Sequence, residues 1–135
     1  MHLVKKPLRT LIISADSGVA SYLRQSLARQ PALSVTRVLH QIPSSTELEG
    51  VLRDHRIQAI FASAGAAGDL ASQVENFDGK IHTIAVSRDC KSDLLGSLME
   101  AGIDEFLAVP FEKSCLEACL SRLIEARQST SQIET

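Results

Sequence analysis

Four short stretches carry the residues best suited to chemistry: Ser14-Ala15-Asp16, Ser63-Ala64-Gly65, Ser87-Arg88-Asp89 and Val109-Pro110. Each follows directly on an apolar run. A serine hydroxyl becomes a nucleophile only beside a base. His2, His40, His55 and His82 are scattered, with no metal-ligand spacing, and none is placed to activate a serine. Ser63 is not a nucleophile elbow, because Phe61 stands at the first glycine place. Gly65 and Gly68 meet neither the dinucleotide fingerprint nor the P-loop spacing, and no Lys-Ser or Lys-Thr follows. Ala64 to Gly68 therefore reads as a flexible loop after a strand. Cys115 and Cys119 share one helical stripe, but two thiols do not complete a zinc site, and they read as buried thiols. Asp104 and Glu105 read as a solvated turn.

The elements around these residues alternate. Arg9 to Ser14 is a short apolar run of the kind buried on both faces of a sheet. Ala15-Asp16-Ser17-Gly18 supplies turn and N-cap chemistry. Val19, Leu23 and Leu27 then mark an amphipathic helix that Pro31 ends. Leu33 to Leu39 is a second strand, and Ser44 with Glu47 fits a capping box ahead of Leu48, Val51 and Leu52. Gln58 to Ser63 is a third strand, with a short helix around Leu70 to Val74. A turn at Asp78-Gly79 leads to a fourth strand, Ile81 to Val86. Leu94, Leu95, Leu98 and Met99 face a fourth helix closed by Gly102. Glu105 to Val109 is a fifth strand broken by Pro110. Cys115, Leu116, Cys119, Leu120, Leu123 and Ile124 stripe the last helix. Gln128 to Thr135 is polar, without periodicity, and reads as a frayed tail.

Apolar strands, each followed by a helix, predict an α/β fold: a (βα)5 doubly wound parallel sheet, flavodoxin-like in order. Five units are too few for an eight-fold barrel. In such sheets ligands sit beyond the carboxyl ends of the strands, where the four stretches named above converge. The expected organisation is an N-terminal tail over 1–8, one domain over 9–128 and a polar C-terminal tail over 129–135.

The chain has 135 residues, 44% of them hydrophobic and 22% charged, which fits a single globular core and excludes global disorder. Fourteen Lys and Arg against sixteen Asp and Glu leave a net charge of -2, so no overall attraction for phosphate backbones is expected. Aromatic residues make up only 4%, too few for base-stacking platforms. No nucleic-acid partner and no membrane partner is expected, since no apolar stretch approaches the ~20 residues of a bilayer span. Three cysteines in a chain of this size are expected to be reduced thiols in a cytoplasmic protein.

From about Arg9 to Arg127 the sequence resembles the receiver domains of two-component response regulators, the CheY-like family. The segment that carries this most specifically is Ala101-Gly102-Ile103-Asp104-Glu105-Phe106-Leu107-Ala108-Val109-Pro110-Phe111. It is similar to the family's alanine-glycine, acidic, aromatic-leucine, lysine-proline-phenylalanine run. The resemblance implies a phosphorelay signalling module. It places Ser87 at the family's hydroxyl position and Phe106 at its switch aromatic. Asp16 falls at the end of the acidic stretch, but Ser14 and Ala15 hold the places of the acidic pair. Ser63 stands where the phosphoacceptor aspartate belongs, and Val109, before Pro110, stands where the lysine belongs.

These replacements remove the chemistry. Mg²⁺ prefers several carboxylates with water in octahedral geometry. Asp16, even with a carbonyl from Gly65, offers weak Mg²⁺ binding at most, and no other cofactor or metal is expected. Val109 cannot neutralise phosphoryl charge, the main need in phosphoryl transfer. The expectation is a pseudo-receiver that is no enzyme and works independently of phosphorylation. It would bind a protein partner through the fourth helix, fifth strand and fifth helix, with a homodimer as one form of that partnership. The family also uses pseudo-receivers fused ahead of pilus-assembly ATPases resembling the MinD type. The alternative is a small-molecule or nucleotide-binding flavodoxin-like domain, for which the small rim of Ser14, Ser63, Gly65 and Ser87 leaves space.

Overall fold

The computed structural model describes residues 7–75, 81–88 and 92–134. Five strands and five helices alternate among them: β1 Leu8–Ile13, α1 Ser17–Ala28, β2 Leu33–Leu39, α2 Ser45–Asp54, β3 Ala59–Ser63, α3 Ala64–Val74, β4 His82–Ser87, α4 Ser92–Ala101, β5 Glu105–Ala108 and α5 Lys113–Glu134. The strands form one parallel sheet in the order β2-β1-β3-β4-β5. This is the expected (βα)5 doubly wound sheet.

The apolar runs become strands because both faces of the sheet are covered. Ile12, Phe61, Ile84, Val86 and Leu107 point to one side, where α1 supplies Val19, Leu23 and Leu27 and α5 supplies Leu116, Cys119, Leu120 and Leu123. Leu11, Ile13, Ile60, Ala62 and Ala85 point to the other, against residues of α2, α3 and α4. The period of two in the strands thus sorts side chains into two cores. In register, Ile12 lies beside Phe61 and Phe61 beside Ile84, so the three central strands share one layer.

Helix starts follow local chemistry. Asp16 caps α1, its Oδ1 accepting from the amides of Gly18 and Val19 at 2.9 and 3.2 Å. Ser44 caps α2: its Oγ accepts from the Glu47 amide and donates to the Glu47 carboxylate. Gly102 closes α4 at a φ of 100°, with its amide bonded to the Met99 carbonyl and that of Ile103 to the Leu98 carbonyl. A left-handed residue is needed there, and glycine adopts it without strain.

Four local expectations are corrected. Ala64 to Gly68 is not a loop: α3 begins at Ala64, directly after β3. Alanines at 64, 66 and 67 outweigh the glycines in helix preference, and Ala66, Ala67, Leu70, Ala71 and Val74 bury one face. Helix α5 continues to Glu134, since no Gly or Pro interrupts the polar segment after Arg127. Met99 is not part of the buried face of α4 but is 55% exposed. Cys115 is exposed while Cys119 is buried, because the buried stripe of α5 runs through Leu116, Cys119, Leu120 and Leu123 and Cys115 lies on its solvent shoulder. Burial, reinforced by the negative charge of Glu105, pushes the Cys119 thiol up to about 12, which keeps it protonated and unreactive. The expected turn at Asp78-Gly79, together with Asp89, lies outside the described residues.

Candidate functional site

The carboxyl ends of β1, β3 and β4 bring Ser14, Asp16, Ser63, Ser87 and Arg88 to one rim. Ser14 is buried at the end of β1, and its Oγ lies 2.5 Å from the Ser63 Oγ at the end of β3. The Ser14 hydroxyl also contacts the carbonyl and amide of Asp16 at 3.1 and 3.2 Å. The two positions to which the resemblance assigns an acidic residue and a phosphoacceptor hold a closed hydroxyl pair. Ser63 is the residue before α3, yet its side chain does not cap that helix. It is engaged with Ser14 instead.

Asp16 is equally committed. Besides capping α1, its carboxylate receives Arg88 Nε at 3.2 Å on Oδ2 and Arg88 Nη2 at 3.3 Å on Oδ1. The Arg88 guanidinium, followed by the Val19 amide, holds the Asp16 carboxyl below the usual carboxylate range. Arg88 thus occupies the electrostatic position a divalent cation would take beside this single carboxylate. Its role was not read from the sequence, although it follows Ser87 directly. An acid just after β1 and a cation just after β4, both at carboxyl ends of strands, were the available signal. Gly18 allows the approach: a Cβ there would stand 2.8 Å from Arg88 Nη2.

The remaining sequence candidates do not join this cluster. Gly65 lies in the first turn of α3, so its carbonyl faces along the helix ladder rather than serving a loop-borne cation cage. Ala15 and Pro110 are exposed, and the Val109–Pro110 peptide is cis. Val109, at the place the resemblance assigns to a lysine, is buried in the core between the sheet, α1 and α5. Its amide bonds the Ser87 carbonyl at 2.8 Å, fixing the half-buried Ser87 beside β5. Among the described residues no group of three His, Cys, Asp or Glu could hold a metal ion.

Two further contacts brace the loop after β5 and the face beyond it. The chain's single tyrosine, Tyr22 on α1, donates to the Phe111 carbonyl at 3.1 Å and accepts from the Phe111 amide at 3.0 Å. Its ring meets Phe111 edge-on at 5.1 Å. Arg122 of α5 grips Glu105 of β5 with Nη2 and Nε at 2.7 and 2.9 Å. Phe106, on the same strand, is half-buried and packs on the core beneath α3 and α4.

The Asp16–Arg88 pair has a measurable consequence. A lowered folded value means that the pair contributes fully above the ordinary carboxylate range and is lost as pH falls through the lowered value. In Arg88→Ala, the midpoint of an Asp16 side-chain carboxyl ¹³C titration should move up toward the ordinary range. It should stop short of it, because the Gly18 and Val19 amides remain. Both groups are about half exposed, so added salt should narrow the difference. An unchanged midpoint would show that the guanidinium has no hold on the carboxylate.

No family model matches the sequence, and no curated protein matches it as a relative. Solved structures do match. The signal receiver domain of an HD domain-containing protein from Pseudomonas fluorescens Pf-5 aligns with a TM-score of 0.73 at 17% identity, over 98% of this chain and 97% of that one. A CheY-like protein, TadZ, from Pseudomonas aeruginosa PAO1 aligns at 0.69 and 20% identity, over 86% and 98%. A pilus assembly-related protein from Burkholderia pseudomallei K96243 aligns at 0.65 and 18%, over 86% and 88%. At such identities the likeness speaks for architecture, and with the strand order and the βα alternation it establishes that the chain has the CheY-like receiver fold.

Proposed function

We propose that the protein is a signalling module of receiver type that acts without phosphorylation, by binding a protein partner through α4, β5 and α5. The observation that carries this reading is the closed rim. Ser63 is bonded to Ser14, Asp16 is held by Arg88, and Val109 is a core residue, while the receiver scaffold around them is intact. A scaffold retained without its reactive groups is suited to recognition rather than catalysis. The α4–β5–α5 face supports the choice of surface: Met99 is exposed, Phe106 is half-buried, and the Glu105–Arg122 pair holds the strand and helix together. Two of the similar structures are a CheY-like TadZ and a pilus assembly-related protein, which favours a partner within a larger assembly. A small-molecule or nucleotide site at the rim has less in its favour, because the Ser14 and Ser63 hydroxyls are engaged with each other. Among the described residues no helix is long and apolar enough to cross a membrane.

The test uses the two large apolar side chains that are exposed among the described residues, which lie on opposite sides of the sheet order. Met99 belongs to the proposed face, and Ile42 follows β2 at the other edge. A partner captured by the native protein should be lost by Met99→Arg and kept by Ile42→Arg. Treatment with acetyl phosphate should leave its capture unchanged. Loss through Ile42→Arg, with Met99→Arg still binding, would move the surface elsewhere and defeat the proposal.

A further inference from the structure

Charge is divided along the order of the strands. The sequence up to Ile57 supplies β1, α1, β2 and α2, on the side of the β2 edge, and it holds eight Lys and Arg against four Asp and Glu. From Gln58 onward it supplies β3 to α5, toward the β5 edge, and holds six against twelve. The net charge of -2 is thus +4 in the first segment and -6 in the second. Among the described residues, one large apolar side chain is exposed toward each edge. Ile42 follows β2 and lines a groove of about 390 Å³ together with Arg37, His40, Pro43, Glu47 and Val51. Met99 lies on α4, whose charged residues are Asp93 and Glu100. Local pairing leaves the contrast in place. Among the described residues Arg37 makes no ion pair, and neither do Asp93 and Glu100. Glu47, the acid of the groove, accepts the Ser44 hydroxyl and lies in the first turn of α2, where the helix dipole offsets its charge.

We infer that copies of this chain associate head to tail, the β2–α2 groove of one copy receiving Met99 and the acidic α4 of the next. A two-fold dimer through either edge sets like charge against like charge, whereas unlike edges attract. The unlike pairing also buries both apolar anchors in one contact, with Arg37 facing the acids of α4 to fix the orientation. Such a contact is heterologous: each added copy leaves one edge open, so the assembly can grow. The α4 surface is part of the face proposed above for a protein partner, so a partner and a second copy exclude each other there. The association does not depend on that partner, because both of its surfaces belong to this chain.

Sedimentation equilibrium of the purified whole protein, with no partner present, tests this. At about 20 mM salt, where screening is weak, the mean mass should rise with protein concentration, and at about 500 mM salt the rise should shrink. Met99→Arg and Ile42→Ser change exposed side chains, so both variants should melt as the native protein does. Each should weaken association about tenfold or more, the loss of one buried apolar anchor. Each variant keeps one native edge, so an equal mixture of the two should associate again, in pairs that grow no further. A two-fold dimer through α4 behaves differently: Met99→Arg breaks it, Ile42→Ser leaves it intact, and mixing restores nothing. That pattern would overturn the inference. So would a native protein that stays monomeric at about 1 mM in low salt, or a mixture no heavier than its two components measured apart. A monomeric native protein that still captures a partner through Met99 would defeat head-to-tail association and leave the proposed function standing.

Discussion

Incubated with acetyl phosphate and Mg²⁺, the protein is expected to keep its intact mass. Phosphoryl transfer needs an anionic nucleophile in line with the phosphorus, a divalent cation bridging phosphoryl oxygens, and fixed positive charge where negative charge develops. Here the place that the resemblance assigns to the nucleophile holds the Ser63 hydroxyl, which is bonded to Ser14. The only rim carboxylate among the described residues, Asp16, is already shared between Arg88 and the amides of α1. Val109, at the place the resemblance assigns to the lysine, is buried and uncharged. Loss of one charge-stabilising group alone commonly slows such chemistry by about 10²–10³, and here three components are altered together. Ser63→Asp would restore a carboxylate, but beside a buried Ser14 hydroxyl and without the cation or the lysine. It should remain far short of efficient turnover. Mass spectrometry of the intact chain reads the result directly. A hydroxylamine-labile gain of one phosphoryl group in the native protein would overturn the pseudo-receiver reading.

Much of the architecture was legible because the strands are buried on both faces. Ile12, Phe61 and Ile84 sit in short, mostly apolar runs, and such runs followed by helical stripes leave little choice but a parallel sheet. The caps at Asp16 and Ser44 could be read because side-chain oxygens must meet the free amides of a helix start. The start of α3 could not, because Gly65 and Gly68 signal a loop locally while the burial of Ala67, Leu70 and Ala71 decides the outcome over the whole helix. Met99 and Cys115 failed for a related reason. Periodicity locates a stripe to within about one residue, and the neighbouring helix decides where the stripe ends. At the rim, residue types revealed what was missing. They did not reveal what took its place, since the Ser14–Ser63 and Asp16–Arg88 contacts join residues 49 and 72 positions apart. Tyr22 lies off the Val19–Leu23–Leu27 stripe, so its clasp on Phe111, 89 positions away, left no local trace.

The two described phenylalanines on the strands should separate packing from recognition. Phe61 lies at the centre of β3, fully buried, with Ile12 and Ile84 on either side in register. Phe61→Ala should cost about 3–5 kcal/mol, the transfer free energy of the ring plus the cavity left behind. That is a large share of the total stability of about 5–15 kcal/mol expected for a domain. The urea midpoint should fall steeply. Phe106 sits on β5, the edge strand, half-buried against the core beneath α3 and α4. Its ring keeps part of its surface in water, so Phe106→Ala should cost clearly less, about half as much. The variant should stay folded at room temperature, which makes it usable in a binding assay. If the exposed part of the ring is an anchor for a partner, Phe106→Ala should weaken binding by more than about 2 kcal/mol, a loss of roughly thirtyfold. Parallel urea melts and titrations give both numbers for the same sample. A Phe106→Ala protein that melts as low as Phe61→Ala would make Phe106 a core residue like any other. One that stays folded and still binds the captured partner with native affinity would remove Phe106 from the interface.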